Sequence, residues 1–270
     1  MTAVSTLAVS ERHPMVRQPR PSPVPLSRVT RIELRKMFNT RSGFWLMASI
    51  GIAALLATTA VILFAPDSEL TYATFGAAIG APMAVILPMV AILSVTSEWS
   101  QRSGLTTFTL VPHRGRVIAA KAIASVVVAV VSMLLAFGIG ALGNVVGTAI
   151  TGTPLVWDIT FVECLYIVLG NVLGLLTGFM LGVLIRGSAG AIVGYFVYSL
   201  VLPPLFGVLA ASQQWFADLR PWVDVNYAQS FLFNSSPTGE QWANIGVTGL
   251  CWLIIPMAVG LRLVMRSEVK

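Results

Sequence analysis

Six long apolar runs separated by short polar stretches set the pattern of this 270-residue chain. They fall at about residues 44–64, 75–96, 117–143, 164–185, 188–211 and 243–261. Each is roughly 20 residues long, enough to cross the hydrocarbon core of a bilayer. The pattern predicts six transmembrane α-helices and an all-α integral membrane fold, because lipid offers no partner to an open sheet edge. Length and the absence of charge carry this reading. A helical period cannot be seen in a segment that is apolar on every side.

Three segments break the apolar pattern. Residues 1–26 are crowded by Pro14, Pro19, Pro21, Pro23 and Pro25 and are poor in apolar residues, which predicts a disordered tail. Residues 27–270 then form a single membrane domain. Residues 27–40 read as a short amphipathic helix ahead of the first span. Thr30 and Glu33 have the spacing of a capping box, with Ser27 as an earlier cap. Arg28, Arg31 and Arg35 share roughly 60° of arc, and Val29, Ile32, Leu34, Met37 and Phe38 occupy much of the rest. Such a helix lies on the membrane surface. The third segment, residues 98–121, joins the second and third runs. It carries Arg102, Arg114, Arg116 and Lys121 against Glu98, and Gly104 and Pro112 punctuate it. Leu105, Phe108 and Val111 would line one side of a short helix, an apolar stripe better suited to a protein partner than to a free loop.

Composition agrees. The chain is 56% hydrophobic and 10% charged, with mean hydropathy +0.82. A soluble domain carries about 25% charged residues. The placement of charge says more than its total. Of the 17 Lys and Arg residues, all but Arg220 fall before the first run, in the 98–121 connection, at the end of the fourth run or after the sixth. Asp67, Glu69, Asp158, Glu163, Asp218, Asp224 and Glu240 fall on the other side. The positive-inside rule then places both termini in the cytoplasm, and six spans agree with that.

Several chemistries are disfavoured. Cys164 and Cys251 have no framework spacing and read as packing residues. His13 and His113 have no clustered ligand partners, so no metal site is expected. Gly138, Gly140 and Gly143 match a dinucleotide fingerprint, but inside an apolar run with no strand before them they read as close helix contacts. Gly170, Gly174, Gly178 and Gly182 repeat every fourth residue and predict a flat groove for helix packing. Prolines at 82, 88, 203, 204 and 256 predict kinks or local unwinding. Residues 212–241, interrupted by Pro221 and Pro237, carry Trp215, Leu219 and Trp222 at helical spacing and aromatics suited to a membrane interface.

In its ordered combination of features the chain resembles the permease subunits of ABC-2 type ATP-binding-cassette exporters, in a small, actinobacterial-like branch. The features are the run Glu33-Leu34-Arg35-Lys36, then Arg41 and the aromatic start Phe44-Trp45. Next come Glu98, Gly104, Thr106, Pro112, Arg114, Arg116 and Ala119-Ala120-Lys121, and then six spans with a long segment before the last. Leu105 stands where many relatives have Thr. The resemblance implies that Glu98, Arg102, Gly104, Leu105, Phe108, Pro112, Arg114 and Arg116 form an ATPase-coupling surface. The helix bearing Glu33, Arg35 and Lys36 would lie beside it, and short helices between spans five and six would close the outer end. It also implies a bacterial plasma membrane location, two copies of an ATPase subunit, and a second permease copy or paralogue. Membrane lipid is a further expected partner and nucleic acid is not. The chain has no phosphate-binding loop of its own. ATP and magnesium would therefore bind the partner, and the chain itself would have no catalytic site and no cofactor. The cargo would be lipophilic or amphiphilic. The alternative is an ion-coupled secondary transporter or channel-like protein, which usually needs an ionisable group within the membrane, and no acid falls mid-span.

Overall fold

The computed structural model describes residues 24–100, 114–234 and 236–266. Among them every regular element is helical. Helix α1 (Leu26–Asn39) leads through one residue, Thr40, into α2 (Arg41–Phe64). A single 3-10 turn (Asp67–Glu69) precedes α3 (Tyr72–Ser100), and then come α4 (Arg114–Thr151) and α5 (Phe161–Ile185). Helix α6 (Ser188–Phe196) passes through a π-helical stretch (Val197–Val201) into α7 (Leu202–Ser212). Two short helices follow, α8 (Gln214–Val223) and α9 (Val225–Asn234). Helix α10 (Gly239–Gly249) then passes through a second π stretch (Leu250–Ile254) into α11 (Ile255–Arg266).

Among the described residues, six helical stretches are long and apolar enough to cross a membrane: Gly43–Phe64, Tyr72–Ser97, Gly115–Thr151, Phe161–Ile185, Ser188–Ser212 and Gly239–Arg266. They coincide with the six apolar runs, and most extend beyond them. The third is the clearest case, reaching Thr151 rather than ending near residue 143.

Helix α3 is the hub, packing against α2, α4 and most extensively α5. Its Ile79, Met83, Leu87, Ala91 and Val95 recur every fourth residue and are all buried. They share a core with Ile50 and Ala54 of α2, Ala129 and Met133 of α4, Leu175, Phe179 and Val183 of α5, and Val264 of α11. The i, i+4 spacing puts these side chains on one stripe.

The prolines divide: the expected local unwinding is found at Pro203 and Pro256 but not at Pro82 and Pro88. Helix α3 runs unbroken through Pro82 and Pro88, and α8 continues through Pro221. The departures from α geometry lie instead just before Pro203 and Pro256, where the two π stretches end. A proline cannot donate to the carbonyl four residues before it, and a widened turn there accommodates the loss.

Candidate functional site

Helix α1 is held by charge at the basic end of the bundle. Val29 and Glu33, four residues apart, are its buried residues. Glu33 is 4% exposed, and so is Lys121, seven residues into α4. Lys121 Nζ donates to Glu33 Oε2 at 2.5 Å and to the Ser94 carbonyl of α3 at 3.1 Å. Lys36 Nζ donates to Glu33 Oε1 at 2.7 Å. The Ser94 and Ser125 hydroxyls lie 3.3 Å apart across the same α3–α4 seam. One carboxylate thus ties α1 to α4, and one ammonium ties α4 to α3. Burial pushes the Glu33 carboxyl up, but the neighbouring Lys121 and Lys36 ammonium groups outweigh it and hold the group below the usual carboxylate range.

Two expectations change here. The capping box at Thr30 and Glu33 does not form. The helix starts at Leu26 with Pro25 at its cap position and no side-chain cap, and Thr30 donates back to the Leu26 carbonyl. Two ammonium partners outcompete a backbone N–H for the Glu33 carboxylate. Lys121 is likewise not a free loop charge but a buried member of α4, neutralised by Glu33.

The other coupling candidates divide. Glu98 belongs to the last turn of α3 and Arg114 opens α4. Arg116 is exposed on the first turn of α4 and donates to the Val24 carbonyl at 3.4 Å. Arg35 is exposed on α1. Arg102, Gly104, Leu105, Phe108 and Pro112 lie outside the described residues, as does the tail before Val24.

The glycine repeat of α5 meets four different surroundings. At Gly178 a Cβ would lie 2.8 Å from both the ring and the carbonyl of Pro88, so α3 presses its proline into the notch. Gly182 faces Ile92 and Val95 of α3 at about 3.4 Å. Gly170 faces the Phe233 ring of α9, where a Cβ would lie at 2.5 Å. At Gly174 the nearest atom is the Tyr195 hydroxyl at 3.9 Å, so this position has room. Tyr195 donates instead to the Ala84 carbonyl at 2.7 Å. That carbonyl loses its own helical donor to Pro88, four residues on, and the hydroxyl of α6 replaces it. Leu176, between two of these glycines, packs partly buried against the core.

The opposite end is closed by backbone caps. Asp158 Oδ1 accepts the Ala73 amide at 2.7 Å, charging the start of α3 with an anion. The Val156 carbonyl accepts from Asn144 Nδ2 of α4 at 2.8 Å and from the Tyr72 amide at 3.3 Å. Asp224, fully buried, accepts the amides of Asn226 and Tyr227 at 3.1 Å and Arg220 Nε at 3.0 Å, and the Arg220 guanidinium stacks over the Tyr227 ring. Between α7, α8 and the second π stretch lies an apolar cavity of about 360 Å³, lined by Phe206, Trp215, Phe216, Trp222, Cys251 and Trp252 among others.

Reasoning from sequence missed the Glu33–Lys121 pair and the Asp224 cap, and it foresaw the two π stretches only as local unwinding near Pro203 and Pro256. Each pair of partners in the first two was noticed separately, as a flank charge or a side-assignment charge. The only sequence signal for the π stretches is a proline just beyond each. The chain matches no family model and no curated protein. Its architecture defines a class: a chain helical throughout its regular elements, with six helices among the described residues long and apolar enough to cross a membrane.

Proposed function

We propose that this chain is the membrane-spanning subunit of an ATP-driven exporter of the ABC-2 type, with a lipophilic or amphiphilic cargo and a separate ATPase subunit. The observation that carries the reading is the clamp of α1 onto the α3–α4 hairpin through Glu33, Lys121 and the Ser94 carbonyl. It fastens the amphipathic helix beside the mouth of the 101–113 connection, where the resemblance puts the ATPase contact. Three further features support it. The basic residues gather at that end, consistent with a cytoplasmic face and cytoplasmic termini. The buried carboxylates Glu33 and Asp224 lie outside the apolar middles of the spans, which weakens an ion-coupled reading. The spans of α2, of α6–α7 and of α10–α11 keep much of their surface exposed, leaving room for a second permease copy.

The test is co-expression with a candidate ATPase subunit. Charge reversal at Arg114 and Arg116 together is expected to reduce co-purification and ATP-dependent transport severalfold while the permease still accumulates in the membrane. Unchanged association and transport in that variant, with Phe108→Pro also silent, would remove the coupling surface from this reading. An absence of any ATP dependence in the wild type would remove the exporter.

A further inference from the structure

Among the described residues, nothing packs on the outer face of α1. Arg28, Arg31 and Arg35 are all exposed, and they form one cluster about 10 Å long, opposite the buried Val29–Glu33 face. None has an ion-pair partner among the described residues, where the ion pairs are Lys36–Glu33, Lys121–Glu33 and Arg220–Asp224. Two exposed apolar side chains bracket the cluster, Ile32 (48%) and Phe38 (52%).

The position of this face is constrained. Only Thr40 separates α1 from α2, and its Oγ1 accepts the Gly43 amide at 3.1 Å. A Cβ at Gly43 would overlap the Met37 carbonyl, so the two helices turn with no slack. Phe44 and Trp45 are exposed at the start of the apolar span. Arg35 therefore lies about two and a half helical turns of chain before Phe44, where hydrocarbon contact begins, and Arg28 about two turns further back. Aromatic and aliphatic side chains there enter the interface, and guanidinium groups reach phosphate oxygens bidentately.

We propose that the Arg28–Arg31–Arg35 face of α1 is a binding surface for anionic phospholipid headgroups. It selects them over zwitterionic ones by unpaired positive charge. The exposed Ile32 and Phe38 seat the helix at the depth of the phosphates. The surface rests on the membrane reading of α2 and not on export or an ATPase, so the two can fail separately.

The experiment uses the full-length protein, immobilised in a neutral detergent and titrated with labelled phosphatidylglycerol or phosphatidylcholine. Wild type is expected to retain phosphatidylglycerol preferentially, with a preference that falls as salt rises. The R28Q/R31Q/R35Q variant is expected to lose affinity for it roughly tenfold or more, at about a factor of several per removed charge. R28K/R31K/R35K keeps most of the preference, and R262Q/R266Q, which removes two exposed charges elsewhere, changes it less than twofold. Equal retention of the two lipids by wild type overturns the proposal. So does equal binding by wild type and the triple glutamine variant, or an equal loss in R262Q/R266Q. If the triple glutamine variant keeps its lipid preference but no longer binds a co-expressed protein partner, the face docks protein and the proposal fails.

Discussion

Glu33 and Lys121 show how much one contact can carry in a chain with so few charges. Neither residue can be solvated where it lies, so each depends on the other. Removing one partner of a buried pair typically costs about 3–5 kcal/mol, because the survivor is left uncompensated, whereas replacing both with apolar groups is often nearly neutral. Glu33→Gln and Lys121→Met are each expected to lower the melting temperature of the solubilised protein markedly. Glu33→Leu combined with Lys121→Met is expected to recover most of that loss. A double variant as unstable as the two singles added together would show that the residues act independently. The pair also sets a pH dependence. The folded carboxyl is held below its ordinary value, so its stabilisation is present at neutral pH and is lost as pH falls through that lowered value. Melting temperature should drop on acidification below about pH 4, and Glu33→Gln should flatten that part of the profile. An identical acid limb in both proteins would assign the drop to other carboxylates.

Helices are where the sequence speaks most clearly and then falls silent. The six spans are legible because about 20 uncharged apolar residues have few other fates in a protein. Which side of each span faces inward is not legible. Ile79, Met83, Leu87, Ala91 and Val95 form the buried stripe of α3, yet the residues between them are just as apolar. The glycine repeat of α5 gives the right face but not its grading. Gly178 is filled by Pro88 while Gly174 has space, and nothing in a four-residue period separates them. The Glu33–Lys121 pair is 88 residues apart in sequence, so no local signal joins its halves. The graded face gives a measurable contrast. Gly174→Ala should be neutral, or stabilising by up to about 1 kcal/mol through helix propensity. Gly178→Ala should cost about 1–3 kcal/mol, since a methyl group meets the backbone of α3. Thermal melts of the two solubilised variants decide it, and equal melting temperatures would mean that α3 moves aside at no cost.

For the whole molecule, the charge distribution makes a prediction about sidedness. Single cysteines at Arg116 and Arg266 should be labelled by an impermeant reagent only from the inner face, and those at Asp67 and Trp157 only from the outer face, in a background lacking Cys164 and Cys251. External labelling at Arg116 would invert the topology. The length of α4 has a further consequence. Its 38 residues extend about 57 Å, nearly twice the hydrocarbon thickness of about 30 Å. Lys121 anchors it near one end, and some 30 residues later, roughly 45 Å away, lie Thr151 and the segment that closes over α3. A rigid rod of that length works as a lever. A tilt of about 5° about the Lys121 anchor carries Thr151 through about 4 Å, the width of a methyl group. Small rotations imposed at the basic end thus arrive magnified at the other face. The rod needs only stiffness for this, with no relay of side chains between the two ends.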